Sequence, residues 1–181
     1  MRILVEDIKE NGLSINTHKN PMFFPIIADM INNKECEFLS SIIIDAEVKL
    51  IHKMIEVQGS FESKIRIPCS RCLKESDIPL ASSFKLIYSQ KIPEIINHEF
   101  NENEIELTEA EMDIITFNGK EINLRDAIQE EIIMSFPFKP LCKKTCKGLC
   151  PGCGIDLNES ICICKKTETD NPFAVLKKLI S

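Results

Sequence analysis

Eight of the nine cysteines in this chain of 181 residues fall at spacings that suit four-sulfur metal sites. Six lie within residues 142–164, CKKTCKGLCPGCGIDLNESICIC, and two lie upstream in residues 68–72, PCSRC. Thiolates are soft metal ligands, and Cys-x-x-Cys beside small residues is typical of zinc knuckles. The pattern therefore predicts two bound zinc ions. A closed four-cysteine site leaves the metal no open position for substrate, so the pattern argues against an enzyme.

The separation of the cysteines along the chain divides them between two sites. One compact set lies within residues 150–164, where a tight turn and a hairpin can bring four sulfurs together. The predicted zinc ligands are Cys69, Cys72, Cys142 and Cys146 in one site and Cys150, Cys153, Cys162 and Cys164 in the other. The alternative is a zinc ribbon that joins Cys69 and Cys72 to Cys150 and Cys153. We prefer the first division because it uses all eight cysteines, and Cys36 belongs to neither site.

Composition indicates a soluble globular protein, with 44% hydrophobic and 28% charged residues. No apolar stretch approaches the roughly 20 residues that a membrane span needs. The first residues, MRILVED, become charged before a signal-peptide core can form. We therefore expect a cytoplasmic protein, in which reducing conditions favour metal binding over disulfides.

The net charge of −6 is unevenly distributed. Residues 1–138 are acidic, whereas residues 139–181 hold eight lysines against four acidic residues. A basic tail can indicate contact with nucleic acid. However, a zinc ion bound by four thiolates carries a charge of about −2, so the basic excess mostly vanishes once both sites are filled. Charge alone does not establish nucleic-acid binding.

Alternating apolar and polar residues predict β-structure over residues 42–90. Residues 42–50, 54–67 and about 78–88 would form three strands of an antiparallel meander. The turn between the second and third strands carries Cys69 and Cys72. Proline at position 68 supports this boundary, because proline cannot donate a hydrogen bond to a strand ladder.

The segments after the meander predict one main helix. Residues 93–111 are acidic and read as a solvated loop, with a docking surface for a basic partner as the alternative. Residues 113–117 predict a short strand. Asn123 is a predicted N-cap for a helix from Leu124 to about Ser135, with apolar residues on one face.

Together these patterns predict an α+β fold: an antiparallel β-sheet with a packed helix and a Cys-rich zinc-binding C-terminal segment. Residues 1–140 would form the mainly antiparallel β domain with one helix and carry the Cys69/Cys72 knuckle. Residues 141–166 would form the Cys-rich zinc-binding segment. Residues 167–181 would hold a short C-terminal helix over residues 172–180, with an apolar stripe.

Patterns typical of catalytic sites are absent from the sequence. The six glycines match neither nucleotide-binding fingerprint, and the three histidines are scattered. A Cys-x-x-Cys at a helix N-terminus would suggest thioredoxin-like chemistry, but Cys69 and Cys72 lie between two predicted strands. We therefore expect no enzymatic turnover and no small-molecule substrate. A redox-responsive thiol protein is one alternative.

Several motifs, in order and spacing, resemble the YceD family, also called the 23S rRNA accumulation protein family. They are VQG at 57–59, IPCSRCL at 67–73, EINL at 121–124, EEIIMSFP at 130–137, CKGLCPGCGIDLN at 146–158 and NPFAVL at 171–176. The resemblance covers roughly residues 40–181. It implies a non-enzymatic role in the accumulation, processing or stability of large-subunit rRNA.

The resemblance also bears on partners and on the two metal sites. It implies a partner in ribosome assembly: a large-subunit rRNA precursor or a basic large-subunit ribosomal protein, and no membrane. Some family members keep the counterpart of Cys69 and Cys72 but lack that of Cys150 and Cys153. This implies that the second site is dispensable to the basic role. A zinc-ribbon nucleic-acid adaptor outside ribosome assembly is the other alternative.

Overall fold

The structure, a computed structural model, describes residues 1–51, 54–90 and 114–164. The chain divides into two compact units. The sheet unit comprises Met1–Ile67 and Asp77–Phe138, and the cysteine unit comprises Pro68–Ser76 and Lys139–Ser181. The predicted acidic loop at 93–111 and the predicted C-terminal helix at 172–180 lie outside the described residues.

The division differs from the predicted domains in the position of the Cys69/Cys72 turn. The sequence assigned this turn to the 1–140 domain, whereas the structure groups residues 68–76 with residues 139–181. The reason is backbone hydrogen bonding: Ser70 donates to the carbonyl of Pro140 at 2.8 Å, and Leu149 donates to the carbonyl of Arg71 at 3.1 Å. These bonds form between segments that are distant in sequence.

The described residues contain eight strands and two α-helices. The strands are β1 (Arg2–Leu4), β2 (Leu13–Lys19), β3 (Glu37–Phe38), β4 (Ile42–Ile51), β5 (Met54–Pro68), β6 (Glu75–Ser89), β7 (Ile114–Thr116) and β8 (Glu121–Asn123). The helices are α1 (Pro25–Asn32) and α2 (Leu124–Met134). The three predicted long strands and the predicted helix are confirmed within about three residues at each end.

A six-stranded sheet has the order β2-β4-β5-β6-β7, with β3 paired to β5, and β1 pairs separately with β8. The β2–β4, β3–β5, β4–β5 and β1–β8 pairs are antiparallel. The predicted α+β fold with an antiparallel sheet and a packed helix is therefore confirmed. The parallel pairing of β6 with β7 is an addition that the sequence did not predict.

Alternation along β4 and β5 produces one buried face of the sheet. Ile44 lies opposite Phe61, and Val48 lies opposite Val57, and all four side chains are buried. Asp45 and Glu47, which alternate with the buried residues along β4, are exposed on the opposite face. Side chains of successive strand residues point to opposite faces, so this alternation fixes the register.

Helix α2 packs into the same core as the sheet. The side chain of Asn123 accepts a hydrogen bond from the Arg125 backbone N–H at 3.1 Å and so caps the helix as predicted. One helix face, including Ile128 and Ile132, is fully buried. The buried Gln129 accepts a hydrogen bond from the Ile26 N–H at 2.8 Å, which satisfies a free donor in the first turn of α1.

Gly59 in β5 faces a position where the sheet has no room for a side chain. A Cβ atom there would lie 2.4 Å from the carbonyl oxygen of Asp45 and 2.7 Å from the Cβ atom of Ala46. The backbone would have to shift, so we expect Gly59→Ala to lower the free energy of unfolding by about 1–3 kcal/mol. Urea denaturation measures this, with the exposed Ser60→Ala as control. Equal midpoints for the two variants would contradict the packing described here.

Candidate metal centres

The structure brings eight cysteine sulfurs together in the two sets that the sequence predicts. Site 1 consists of Cys69, Cys72, Cys142 and Cys146, and site 2 consists of Cys150, Cys153, Cys162 and Cys164. Within each site all four sulfurs lie within 4.8 Å of one another. Cys36 is buried in the core of the sheet unit and belongs to neither site. The alternative zinc-ribbon pairing is not the arrangement found.

The sulfur spacing fits a tetrahedral zinc ion at each site. At site 1 the Sγ atoms of Cys69 and Cys146 are 3.8 Å apart, and those of Cys72 and Cys142 are 3.6 Å apart. At site 2 the Sγ atom of Cys162 lies 3.3 Å from that of Cys150 and 3.5 Å from that of Cys153. Four ligands at about 2.3 Å from a tetrahedral zinc ion are about 3.8 Å apart. Ligand number and ligand type therefore match at both sites; the site 1 distances agree with this spacing, and the two site 2 distances are about 0.3–0.5 Å shorter.

All nine cysteines lie within the described ranges, and each is a free thiol. The sulfur atoms of each site therefore lie close together because the fold places them there, and no disulfide bond joins them. Four unlinked thiols brought together repel one another once they ionise. A divalent cation removes that repulsion, because metal ligation requires the deprotonated form.

A tight turn between β5 and β6 positions the first two sulfurs of site 1. The N–H of Cys69 donates to the carbonyl of Lys74 at 2.8 Å, and the N–H of Leu73 donates to the carbonyl of Cys69 at 2.9 Å. Leu73 reverses the chain with a φ of 60°, an uncommon value for a branched residue. The N–H of Arg71 points at the Cys69 sulfur, 3.5 Å away, and can stabilise a thiolate there.

Arg71 links this turn to the chain that carries the other two sulfurs. Its guanidinium donates to the carbonyl of Cys146 at 2.8 Å, and its own carbonyl accepts the Leu149 N–H. Gly148 has a φ of +77°, and a Cβ atom there would lie 3.0 Å from the Arg71 carbonyl oxygen. Arg71 therefore fixes the two halves of site 1 against each other, a role that the sequence did not reveal.

Site 2 is built on a hairpin with the features predicted for a zinc knuckle. The N–H of Gly152 donates to the Cys150 sulfur at 3.4 Å, and the N–H of Gly154 donates to the Cys150 carbonyl at 2.8 Å. Gly154 has a φ of +73°, as a tight turn after the knuckle requires. The Cys162 sulfur accepts the N–H of Cys164 at 3.2 Å.

The two sites differ in solvent exposure. At site 1, Cys69, Cys72 and Cys146 are buried and pack with Leu141 and Leu149. At site 2, by contrast, Cys150 is buried and Cys162 is half-buried, whereas Cys153 and Cys164 are exposed. Site 1 exposes one ligand, Cys142, and site 2 exposes two, so chelators and thiol reagents reach site 2 more readily than site 1.

Backbone N–H groups favour one thiolate at each site. Burial opposes ionisation of Cys69, but hydrogen bonds from backbone N–H groups, including that of Cys142, outweigh it and lower its pKa to about 6. At site 2 the N–H groups of Cys153 and Gly152 lower the pKa of Cys150 to about 6. At both sites these N–H groups therefore favour the thiolate, which is the form that binds a metal ion.

Other thiols in the same sites resist ionisation. Although Cys142 is exposed overall, local desolvation of its sulfur and then its thiol neighbours raise its pKa to about 12. Hydrogen bonding with Cys162 raises the pKa of Cys164 to about 12. Clustered thiols share protons in this way because adjacent like charges disfavour one another. A bound metal ion would displace these protons.

An ion-pair cluster lies between the site 1 turn and the site 2 hairpin, inside the cysteine unit. The ammonium of Lys74 is 2.9 Å from a carboxylate oxygen of Asp156 and also pairs with Glu159. The backbone N–H of Asn158 and then the Lys74 side chain lower the pKa of Asp156 to about 2. The contribution of this carboxylate to stability is therefore fully present above its ordinary pKa of 3.8 and is lost progressively as pH falls from there through about 2.

Among the described residues, no helix has the length and apolar character that crossing a bilayer requires.

Comparison with protein families gives a clear match. The family model described as "Large ribosomal RNA subunit accumulation protein YceD" matches residues 57–180. The matched segment contains all eight cysteines of the two sites.

Curated relatives are similar at low identity. A chloroplastic protein of Arabidopsis thaliana, named large ribosomal RNA subunit accumulation protein YCED homolog 1, is 25% identical over 70% of this chain and 44% of its own length. Uncharacterized proteins of Mycobacterium bovis and Mycobacterium tuberculosis are 23% identical over 63% of this chain and 50% of their own length. The chain thus spans about half the length of the curated relatives it matches. No solved structure matches it.

Proposed function

The chain belongs to the YceD family of large ribosomal RNA subunit accumulation proteins, and we propose on that basis that it is a biogenesis factor of the large ribosomal subunit. It would support the accumulation, processing or stability of 23S rRNA by binding, without catalysing a reaction. The observation that carries the proposal is the family match over residues 57–180, which includes both cysteine sites. The name of the Arabidopsis relative supports it.

We further propose that site 1 and site 2 each hold one zinc ion. Four thiolates at tetrahedral spacing form a closed coordination shell, so the metal supplies structural stability. The cysteine unit needs such support because its described apolar cluster is small: Cys69, Cys72 and Cys146 with Leu141 and Leu149. Small units that cannot bury a large core commonly rely on metals or disulfides.

Charge favours a basic large-subunit ribosomal protein as the direct partner. The formal charge of the chain is −6 with all cysteines counted as neutral. Two zinc–tetrathiolate sites would make it more negative by about 4 charges. An acidic protein attracts a basic partner over a long range and repels RNA phosphates. A partner of this kind would also place the protein in the cytoplasm, where bacterial ribosomes assemble and thiols stay reduced.

Both units offer exposed groups for such a partner. The exposed face of the sheet carries the carboxylates of Asp45 and Glu62 on adjacent strands β4 and β5, and that of Glu47, which is paired with Lys49. In the cysteine unit the side chains of Ile161 and Ile163, which flank a site 2 ligand, are 92% and 97% exposed. Exposed apolar side chains of this size are common at protein–protein contacts.

Affinity capture from cells that express the protein natively tests this proposal. We expect tagged protein to recover large-subunit precursors, and a basic large-subunit protein should stay bound after nuclease treatment. Contacts with RNA phosphates should fall away steeply between about 50 and 200 mM salt. Loss of all partners on nuclease treatment would identify rRNA as the direct partner. Recovery of no large-subunit component at any salt concentration would contradict the proposal.

The affinity-capture experiment also requires a variant that controls for the loss of a thiol. Cys36→Ala removes a cysteine that lies outside both sites. We expect Cys36→Ala to recover the same partners as the unaltered chain, and Cys69→Ser to recover less. A zinc-ribbon adaptor outside ribosome assembly would need the same two sites, but it would recover other partners.

A further inference from the structure

A side chain from the site 2 hairpin donates a hydrogen bond to a sulfur of site 1. The Nδ2 atom of Asn158 lies 3.5 Å from the Sγ atom of Cys146. The Oδ1 atom of Asn158 accepts the backbone N–H of Lys147 at 2.9 Å. A backbone N–H can only donate, so this contact fixes which end of the amide is oxygen. The NH₂ group must therefore be the end that faces Cys146.

A neighbouring carboxylate holds the Asn158 amide in this orientation. Oδ1 of Asp156 accepts hydrogen bonds from the Asn158 backbone N–H at 2.8 Å and from Nδ2 at 2.7 Å. Both amide ends therefore have partners besides the sulfur. A side chain held at both ends loses little entropy when it also contacts a thiolate.

Asn158 reaches site 1 because it closes the hairpin on which site 2 is built. The N–H of Cys150 donates to the Ile155 carbonyl at 2.8 Å, and the N–H of Leu157 donates to the Gly148 carbonyl at 2.9 Å. The two arms of this hairpin also form a β-bridge between Leu149 and Asp156. Ordering of the hairpin therefore determines where Asn158 lies.

A second connection joins the hairpin to the other half of site 1. Lys74 lies two residues after Cys72 and forms ion pairs with Asp156 and Glu159. The hairpin that presents Cys150 thus contacts both chain segments that supply ligands to site 1. Asn158 bonds to the sulfur of Cys146, and Asp156 and Glu159 pair with the turn after Cys72.

We propose that Asn158 is a positioning residue for site 1 and couples metal binding at the two sites. Metal at site 2 would order the hairpin, and the ordered hairpin would place the Asn158 donor on a site 1 thiolate. Donors to ligand sulfur stabilise the metal-bound form, and losing such a partner commonly costs about 10–100-fold in metal affinity. By thermodynamic reciprocity, metal at site 1 must strengthen binding at site 2 by the same factor. The inference rests on the proposed metal binding at both sites.

Zinc titration of the full chain, followed by native mass spectrometry and chelator competition, measures this coupling. Cys153→Ser/Cys164→Ser leaves site 1 alone, and Cys142→Ser/Cys146→Ser leaves site 2 alone. For the unaltered chain, the two association constants for successive zinc binding are multiplied. This product is divided by the product of the two single-site association constants, and the quotient is the coupling ratio. We expect the unaltered chain to exceed the single-site product by about tenfold or more.

Two single substitutions locate the coupling at Asn158. In Asn158→Ala we expect the ratio to fall by at least half, because the donor to Cys146 is lost while the Lys74 ion pairs with Asp156 and Glu159 remain. Asn158→Asp should act in the same direction, since a carboxylate can accept the Lys147 N–H but cannot donate to sulfur. The matched control is Ser160→Ala, an exposed residue two positions further along, which should keep the ratio of the unaltered chain.

The outcomes separate this inference from the proposed function. A ratio of about one in the unaltered chain would overturn the coupling while leaving two metal sites in place. Retention of the full ratio in both Asn158 variants would overturn the assignment to Asn158. No zinc bound at either site would overturn the metal proposal itself. If a paired cysteine variant fails to fold, the coupling is tested instead by the fraction of protein molecules that carry one zinc ion when one equivalent of zinc has been added. That fraction should be higher in Asn158→Ala than in the unaltered chain.

Discussion

Replacing Cys69 by serine should lower the melting temperature by about 10 °C, whereas replacing Cys153 by serine should lower it by about 3–6 °C. Site 1 closes a long loop, since Cys72 and Cys142 are 70 residues apart and the loop includes much of the sheet unit. Closing a loop of this size stabilises a fold by about 4 kcal/mol, and 1 kcal/mol corresponds to roughly 2–4 °C in a chain of this length. Site 2 closes only the short segment from Cys150 to Cys164.

The same two variants should differ in the cell. We expect Cys69→Ser to reduce the ratio of 23S to 16S rRNA strongly, and Cys153→Ser to reduce it less. Thermal melts followed by circular dichroism, together with the rRNA ratio, measure both effects. The Cys36→Ala variant controls for loss of a thiol outside the two sites. If Cys153→Ser were the more damaging substitution, the order of importance of the two sites would be reversed.

Removal of metal by a chelator should proceed in two phases, with one zinc ion released quickly and the other slowly. The fast phase is expected from site 2, because its ligands Cys153 and Cys164 are exposed. The slow phase is expected from site 1, where three ligands are buried. A colorimetric zinc indicator records the release, and a thiol reagent records the cysteines that become reactive. The sheet unit should keep its secondary structure through the fast phase.

Single-site variants identify the two phases of this release. Cys153→Ser/Cys164→Ser should abolish the fast phase and leave the slow one, somewhat accelerated by loss of the Asn158 contact. Cys142→Ser/Cys146→Ser should abolish the slow phase. Release of site 1 metal before site 2 metal would contradict the burial argument. Full reactivity of the eight site thiols before any chelator is added would contradict zinc binding and favour a redox-responsive thiol protein.

Coupling between the two sites is compatible with site 1 contributing more to the stability of the protein than site 2. Zinc binding in small four-ligand modules contributes about 10–16 kcal/mol, whereas a tenfold coupling is about 1.4 kcal/mol. Loss of site 2 would therefore weaken zinc binding at site 1 without emptying it.

The long strands, helix α2 and the cysteine sets could be predicted because their signals are local. The alternation from Ile42 onward fixes one buried face, and Asn123 before an apolar stripe marks a helix start. Cysteine spacing similarly limits which sulfurs can share an ion. In each case the signal lies in the residue types and spacing of short segments of the chain.

The first 40 residues gave no such signal, although they supply strands β1 to β3 and helix α1. Strand β2, LSINTHK, is half-buried on one face and becomes a strand through its pairing with β4. Helix α1 has eight residues, which is too short for a clear period. Its buried Ile27 and the neighbouring Phe24 join a core assembled from distant segments.

The roles of Arg71 and Asn158 could not be predicted for the same reason. The Arg71 guanidinium meets a carbonyl 75 residues away, so nothing local distinguishes it from a solvated arginine. Asn158 reaches Cys146 across 12 residues through a folded hairpin. One weak signal was available, because Asp-x-Asn favours a turn in which the aspartate accepts the later N–H.

Sedimentation of cell extracts through a sucrose gradient tests the central claim most directly. The claim is that this chain acts on the large ribosomal subunit and that site 1 maintains the fold needed to do so. The unaltered chain and Cys36→Ala should migrate with large-subunit precursors, and Cys69→Ser/Cys72→Ser should remain at the top of the gradient. If the unaltered chain also remains at the top while precursors accumulate normally without it, the protein is not a factor of large-subunit assembly.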